Sequence, residues 1–376
     1  MSTTTLHRIL RASAVAAALV AVGPAAPASG RPLQTALTNP TEPAFAEADP
    51  DGALAAARGA GFDVIRIPIA WSGVAPYNSP DAANPGDQYY RWGPTDERIQ
   101  RTLAAGMEPL LSVYSAPVWG RVRGRSPDPA AFATFMGALA RRYSGDFEGR
   151  PRVRLFQLWN EPNLHTYLDP SDAPDRYRAM VTAAYPAIKA VHPDNFVVAG
   201  GTAPFAGENG KYGMGPFPFM RAMLREKTPF DAWAHHPYTS GNPSRKAVNE
   251  GDASIGDLPE LRRILRSTGH GAAQLWVTEF SYDSAPPDPF AVPVHEHARW
   301  VSESLYRMWA QGVTLVTWFQ LRDNPQGTFH WGATYQSGLY FRTTDRYADE
   351  KAKPALRSIR FPFVALPSGS AVKLWG

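Results

Sequence analysis

The feature that most constrains the fold is an alternation, repeated eight times, of short strand-like segments and segments of helical periodicity. A first strand is predicted at Leu33–Thr38, and clearer strands, rich in β-branched or other apolar residues, at Val64–Ala70 and Glu108–Tyr114. The later strands are predicted at Val153–Trp159, Phe196–Gly200, Ala232–His236, Gln274–Thr278 and Val313–Phe319. Such alternation is typical of parallel βα units.

The intervening segments carry helix signals, and the clearest helix lies between the third and fourth strands. Asp128 and Pro129 supply an N-cap and a first-turn proline. Apolar residues then recur at helical spacing at Phe132, Phe135, Met136, Leu139, Ala140 and Tyr143. Eight strands alternating with eight helices predict an α/β fold, a closed (β/α)8 TIM barrel, more readily than an open doubly wound sheet.

The N-terminus resembles a secretory signal peptide. Arg8 and Arg11 precede an apolar run from Ala12 to Val22, which is followed by the small residues of Ala26–Ala28. The run is shorter than the roughly 20 residues needed to span a bilayer. We therefore predict a signal peptide at residues 1–28 and a secreted protein, with an alanine-rich cytosolic helix as the alternative.

The rest of the chain divides into a barrel and a short tail. The barrel is predicted at residues 29–361 and a β tail at residues 362–376. In the tail, Phe363–Leu366 and Val372–Trp375 flank the turn residues Pro367–Ser370, a strand, turn, strand pattern. The tail is predicted to be either a small hairpin packed on the barrel or the remnant of a truncated β-domain.

Composition excludes several classes of site and partner. The chain has no cysteine, so disulfides, thiolate metal sites and a cysteine nucleophile are excluded. The net charge of +4 falls to about +2 if the two arginines of residues 1–28 are removed. A nearly balanced charge gives no electrostatic reason to expect nucleic acid or an anionic membrane as a partner.

Two glutamates stand at predicted strand ends. Glu161 follows the fourth strand in the run Trp159–Asn163, and Glu279 follows the seventh in the run Thr278–Phe280. Active sites of barrels lie at the carboxyl ends of the strands, and a buried acid there is unfavourable unless it is paired or used. Two carboxyl groups about 5–5.5 Å apart are what retaining glycoside hydrolysis requires.

These same residues resemble those of the clan A glycoside hydrolases, particularly family 39 (β-xylosidase-like) and family 5 (cellulase-like), over essentially Leu33–Phe361. The resemblance implies that Glu161 is the acid/base and Glu279 the nucleophile. It also implies a set of substrate-binding residues: Arg66, Asn160, His236, Tyr238 and Trp318. The third strand ends in Tyr114–Pro117, where many family 5 enzymes carry a histidine, and the extra β-domain usual in family 39 xylosidases is not recognised, so both families stay open.

Neighbouring residues are expected to give the two carboxyl groups opposite protonation states. Arg66 and the Tyr238 hydroxyl would stabilise a negative charge on Glu279, and Glu161 would stay protonated. Asn160 would hydrogen-bond the sugar 2-hydroxyl, and Trp318 would form an apolar floor under the sugar ring. The structural alternatives are a buried ion pair for Arg66 and plain core packing for Trp318.

Other readings of the sequence are a catalytically silent carbohydrate-binding barrel and a metal-dependent hydrolase. His235–His236 and His295–His297 raise the metal question, but adjacent strand residues point to opposite faces and i, i+2 helix positions do not converge. Neither metal nor cofactor is expected; the expected partner is a carbohydrate substrate. Further candidate subsite aromatics are Trp71, Trp119, Trp331 and Tyr335. The basic loop Arg121–Arg125 would either meet an acidic or phosphorylated glycan or be simply solvated.

Overall fold

Eight parallel strands close into a barrel in which each strand pairs with its neighbours in sequence and the last pairs with the first. The strands are β1 Gln34–Thr38, β2 Val64–Ala70, β3 Glu108–Tyr114, β4 Leu155–Leu158, β5 Phe196–Thr202, β6 Ala232–His235, β7 Gln274–Phe280 and β8 Val313–Trp318. The following helices are α1 Pro50–Gly59, α2 Gly93–Ala104, α3 Pro129–Arg142, α4 Ala173–Lys189, α5 Pro216–Met223, α6 Leu258–Ser267, α7 Val294–Ala310 and α8 Ala355–Arg360. The predicted (β/α)8 barrel is confirmed.

The structure, a computed structural model, describes residues 32–42, 47–169, 171–325, 335–344 and 346–376. The predicted signal peptide at residues 1–28 and Trp331 lie outside the described residues. Of the helices that are described, none is long and apolar enough to cross a membrane.

Local signals explain where most elements begin and end. The side chain of Asp128 accepts a hydrogen bond from the Ala131 N–H and caps α3, as its sequence predicts. Strand β4 is shorter at both ends than the predicted Val153–Trp159; at its carboxyl end, the positive φ angle of 73° at Trp159 ends the extended run. Strand β7 is longer than predicted and reaches Phe280, so Glu279 lies within it.

Side chains alternate between the two faces of each strand, so one apolar layer lies between strands and helices and another lies inside the barrel. A polar layer lies next to the one inside the barrel, towards the carboxyl ends of the strands. One core cluster lies between strands and helices and includes Ile65 and Ile67 of β2. The inner cluster contains Ala36, Val64, Leu110, Leu155, Val198, Ala232, Ala234, Trp276 and Leu315. Two residues further along their strands lie buried polar side chains: Arg66, Ser112, Gln157, His236 and Thr278. Because side chains alternate with a period of two, these polar groups point into the barrel near its carboxyl end.

The tail forms an antiparallel hairpin of β9 Val364–Ser368 and β10 Ala371–Trp375. Its last aromatic residue, Trp375, packs against α7, with ring centroids 5.6 Å from Tyr306 and 5.7 Å from Trp309. The predicted strand, turn, strand pattern is thus present as a hairpin that packs on the barrel.

Candidate active site

Arg66 is the centre of the polar layer at the mouth of the barrel. Its guanidinium donates to Oε1 of Glu279 at 2.6 Å and to Oδ1 of Asn160 at 2.8 Å. It also donates to Gln157 at 3.1 Å and to Ser112 at 3.0 Å. With 2% of its surface accessible, Arg66 fixes the geometry of four strands from inside the barrel.

Glu279 is held as an anion by donors on both of its oxygens. Oε1 accepts from Arg66, and Oε2 accepts from the Tyr238 hydroxyl at 3.2 Å. Nδ1 of His236 lies 3.8 Å from Oε2. Burial by itself raises the pKa of Glu279, but the electrostatic effects of His236 and Arg66, with the hydrogen bonds from Arg66 and Tyr238, outweigh it and lower the pKa.

Glu161 has a different neighbour and a strained backbone. Its Oε1 pairs with Nδ1 of His236 at 3.0 Å, and Nε2 of that histidine pairs with the Thr278 hydroxyl at 3.1 Å. The φ angle of 42° at Glu161 is unusual for a residue with a side chain. Its N–H donates to the carbonyl of Gly201 at 2.9 Å, which anchors this conformation. Strain of this kind is typical of functional sites.

The two carboxyl groups face each other across the mouth. An oxygen of Glu161 lies within 4.8 Å of an oxygen of Glu279, with a ring nitrogen of His236 inside the same radius. Their side chains are 15% and 14% accessible, so both are enclosed but reachable. Two carboxyl groups that share one enclosed pocket at such short range can act together on one bound group.

Two tyrosines near the carboxylates are neutral phenols. Burial and the charges of Glu279 and Glu161 raise the pKa of Tyr238 well above its ordinary value. Burial and the same two carboxylates raise the pKa of Tyr167. Both phenols therefore keep their protons at neutral pH.

The cluster of Glu161, His236 and Glu279 also has the donor types and spacing of a metal site. These groups, however, already have hydrogen-bond or ion-pair partners within the protein. Both ring nitrogens of His236 have partners, and a cation would lie beside the Arg66 guanidinium that binds Glu279. Like charges at this distance repel, so the donor set fits a protein-only site better than a metal centre. His235 points the other way, to Thr202 and Ala253.

Three of the predicted substrate-binding residues have almost no surface to offer a sugar. Arg66 is 2% and His236 is 0% accessible; both bind the glutamates instead, so they position the carboxyl groups rather than contact substrate. Trp318 is 1% accessible, donates to the Ser337 carbonyl at 3.0 Å and packs edge-on against Phe280. Its predicted role as the sugar floor is corrected to core packing.

The other two candidates, Asn160 and Tyr238, lie beside the carboxylates as predicted. Among the further aromatics, Trp71 is fully buried and stacks on Phe135 at 5.4 Å, so it belongs to the core. Tyr335 is half exposed, and its pKa is raised by burial and by the charges of Glu279 and Glu161.

Sequence reasoning missed Tyr167, Gln157, Ser112 and Thr278. The last three could have been found from strand alternation, since each lies two residues beyond an inner-core position on its strand. Tyr167 lies in the loop after β4, and only the folded loop brings it near Glu161 and Glu279, whose charges add to burial in raising its pKa.

Comparison with known proteins agrees with this geometry. The family model described as Cellulase (glycosyl hydrolase family 5) matches residues 28–304, well over half of the chain and including both glutamates. A search of curated protein sequences found no match.

Solved structures share the fold. One is a family 39 glycoside hydrolase from Bacteroides cellulosilyticus WH2 (TM-score 0.63, 20% identity), covering 90% of this chain and 66% of its own. A second is a glucosidase from Croceicoccus marinus (TM-score 0.61, 20% identity), covering 83% of this chain and 64% of its own. A third is a GH39 β-xylosidase from Caulobacter crescentus (TM-score 0.63, 18% identity), covering 90% and 72%. The chain thus spans less than two thirds of the length of each of the first two of these proteins.

Proposed function

The chain belongs to glycosyl hydrolase family 5, and from this premise we propose that it is a retaining glycosidase of β-linked oligo- or polysaccharides. In the proposed double displacement, Glu279 is the nucleophile and Glu161 the acid/base. The observation that carries the proposal is the pair of facing carboxyl groups, with an oxygen of Glu161 within 4.8 Å of an oxygen of Glu279 and each group held by different partners. The family resemblance expected from the sequence is thereby confirmed at the level of clan A, with family 5 as the matching model.

In the first half of the reaction, an oxygen of Glu279 attacks the anomeric carbon and the glycosidic C–O bond breaks. Arg66 and Tyr238 keep the attacking group ionised before that step. Glu161 gives its proton to the leaving oxygen, which departs as an alcohol. Nδ1 of His236 holds Oε1 of Glu161, so Oε2, which has no hydrogen-bond partner among the described residues, is the oxygen that delivers the proton.

In the second half, Glu161 is an anion and takes a proton from water. That water attacks the anomeric carbon of the glycosyl ester, and the bond to Glu279 breaks. Asn160, fixed by Arg66 at 2.8 Å, lies beside the nucleophile, where it can bind the sugar 2-hydroxyl. This contact strengthens in the oxocarbenium-like transition state, which is what makes it useful for rate.

The competing reading is a silent carbohydrate-binding barrel. Binding alone requires neither two close carboxyl groups nor a buried arginine that lowers the pKa of one of them. Perturbed groups of this kind cluster at catalytic sites. The arrangement therefore supports an enzyme.

We further propose that the protein is secreted. The support is the sequence pattern of residues 1–28, with arginines before a short apolar run. N-terminal sequencing of protein recovered from the medium of an expressing bacterium should give a chain that begins near Ser29; full-length protein inside the cells would contradict the proposal.

The proposed reaction is tested by variants of the two glutamates on a panel of aryl β-glycosides. Glu161→Ala and Glu279→Ala should each lower kcat/KM by on the order of 10²-fold or more. Azide should restore turnover to both, giving a glycosyl azide of retained configuration with Glu161→Ala and of inverted configuration with Glu279→Ala, because it replaces water in one case and the nucleophile in the other.

The matched control is Glu303→Ala, which removes a glutamate paired with Arg307 on α7, away from the site; it should keep wild-type kinetics. A chelator should have no effect on the wild-type protein. Wild-type rates in both active-site variants, or loss of activity with chelator, would overturn the assignment.

A further inference from the structure

A small cavity opens beside the catalytic residues, between the ends of β3 and β4. Its volume is about 170 Å³. The residues that matter here are Tyr114, Arg121, Arg125, Trp159, Thr166 and Tyr167. Pockets for whole drug-sized ligands typically have about 300–1,000 Å³, so this cavity fits a single substituent or unit of a longer chain.

The cavity adjoins the proposed reaction centre. Tyr167 lines it, and its backbone carbonyl accepts a hydrogen bond from the indole N–H of Trp159 at 3.1 Å. Trp159, another lining residue, directly precedes Asn160. Tyr114 also lines it and ends β3, the strand that pairs with the β2 strand of Arg66. A group held here would belong to the substrate whose glycosidic bond lies at Glu161 and Glu279.

Two arginines and no acidic residue line the cavity. Arg121 is used within the loop: its guanidinium donates to the Ala116 carbonyl and fixes the turn. Arg123 faces Asp172 at 3.1 Å and Asp169 at 4.0 Å. For the exposed Arg125, the described part of the chain provides neither a hydrogen bond nor an ion pair.

We propose that this cavity is a subsite for an anionic group of the glycan, with Arg125 as its ligand and a uronic acid carboxylate as the leading candidate. A guanidinium presents paired N–H donors that match the two oxygens of a carboxylate. Arg121, held by the backbone, adds a fixed positive charge beside it. The proposal rests on the glycosidase function above and names its substrate class: acidic β-linked oligosaccharides.

The test compares substrates that differ in one group. The probes are aryl β-oligosaccharides built on the sugar that the glycoside panel identifies. Each carries one glucuronic acid, one sulfate ester or one phosphate, and each is compared with a neutral counterpart. For the glucuronic acid probe, the counterpart carries the carboxyl-reduced sugar. The readout is the ratio of kcat/KM for the charged substrate to that for the neutral one. Roughly tenfold preference or more is expected for the uronate, the size of a charge-assisted hydrogen bond.

Variants assign the preference to the residue. Arg125→Gln should bring the ratio close to one, and Arg125→Lys should retain part of it, because lysine keeps the charge and loses the paired donors. Arg123→Gln is the matched control, since it removes an equal charge from the same loop but not from the cavity; its ratio should stay at the wild-type value. Preference for sulfate or phosphate over uronate would keep the anionic subsite and replace its leading candidate.

A ratio of one for all three anions in the wild-type protein, or an unchanged ratio in Arg125→Gln, would overturn the subsite and indicate a solvated loop. Failure of the glycosidase proposal is distinguishable. If none of the substrates is cleaved, calorimetric titration of wild-type protein and Arg125→Gln with methyl β-glucuronide and methyl β-glucoside measures the preference as a ratio of affinities. Equal affinities of the wild-type protein for the two ligands overturn the subsite.

Discussion

Replacing Arg66 with glutamine tests whether this buried arginine controls the ionisation of Glu279. The variant removes the 2.6 Å contact to Oε1 of Glu279 and the 2.8 Å contact to Asn160. A hydrogen bond to a charged group contributes about 1.5–3 kcal/mol, and one pKa unit corresponds to about 1.4 kcal/mol. The pKa of Glu279 should therefore rise by about 1–2 units.

The sign of the effect on activity follows from the role of Glu279. The nucleophile acts as an anion, so activity disappears as the pH falls through its pKa. In Arg66→Gln the acid limb of kcat/KM against pH should move up by about 1–2 pH units. Above that limb, the rate should still be lower, by roughly 10- to 100-fold, because Asn160 loses the donor that fixes it at the sugar 2-hydroxyl.

The assay is a pH profile of kcat/KM on the best aryl β-glycoside, with thermal unfolding followed by circular dichroism. Ser112→Ala is the control, since it removes another partner of the same guanidinium at 3.0 Å and leaves the Glu279 pair intact. Arg66→Lys, which keeps the charge, should shift the limb less and still lose rate at the plateau. An acid limb at the wild-type pH in a folded Arg66→Gln variant would refute the reasoning.

Two further predictions concern stability. Burial raises the pKa of Asp283 to about 6, so the folded state loses stability as the pH rises from about 4 to 6 and this group ionises. The variant Asp283→Asn can still accept a hydrogen bond from the Gln336 N–H. It should raise the thermal midpoint at pH 7 by an amount that corresponds to about 1–3 kcal/mol of unfolding free energy. That gain should vanish near pH 4, and a gain independent of pH in the unfolding curves would contradict it. Gly200→Ala should destabilise by about 2–5 kcal/mol, because φ is 88° and a Cβ would lie 2.4 Å from the Ala234 carbonyl oxygen. Urea unfolding measures this against Gly59→Ala, whose Cβ meets no atom within 4 Å; equal midpoints in the two variants would show that the backbone relaxes.

Local sequence signals were sufficient for most of the fold. Val64–Ala70 and Glu108–Tyr114 were predicted to the residue, because apolar periodicity and flanking glycines act over a few residues. The end of β4 was not predicted, since the positive φ angles of Trp159 and Glu161 depend on the contact of Glu161 with Gly201 on the next strand. No local pattern encodes that contact.

The candidate site divides in the same way. The sequence singled out Glu161 and Glu279, since a carboxylate at the end of an apolar strand stands out against its neighbours. It did not show that His236 is enclosed against Glu161, or that Trp318 is buried. Burial depends on what the rest of the barrel places over a side chain.

By itself, then, the sequence determined the strands, the helices and the strand ends at which chemistry could occur, because these follow from the periodicity of short segments. Only the tertiary structure decided which side chains act on which carboxylate. Arg66 and Glu279 are 213 residues apart in the chain and 2.6 Å apart in space. Closure of the barrel brings β2 and β7 to one ring, where His236 and Arg66 outweigh the effect of burial and lower the pKa of the proposed nucleophile.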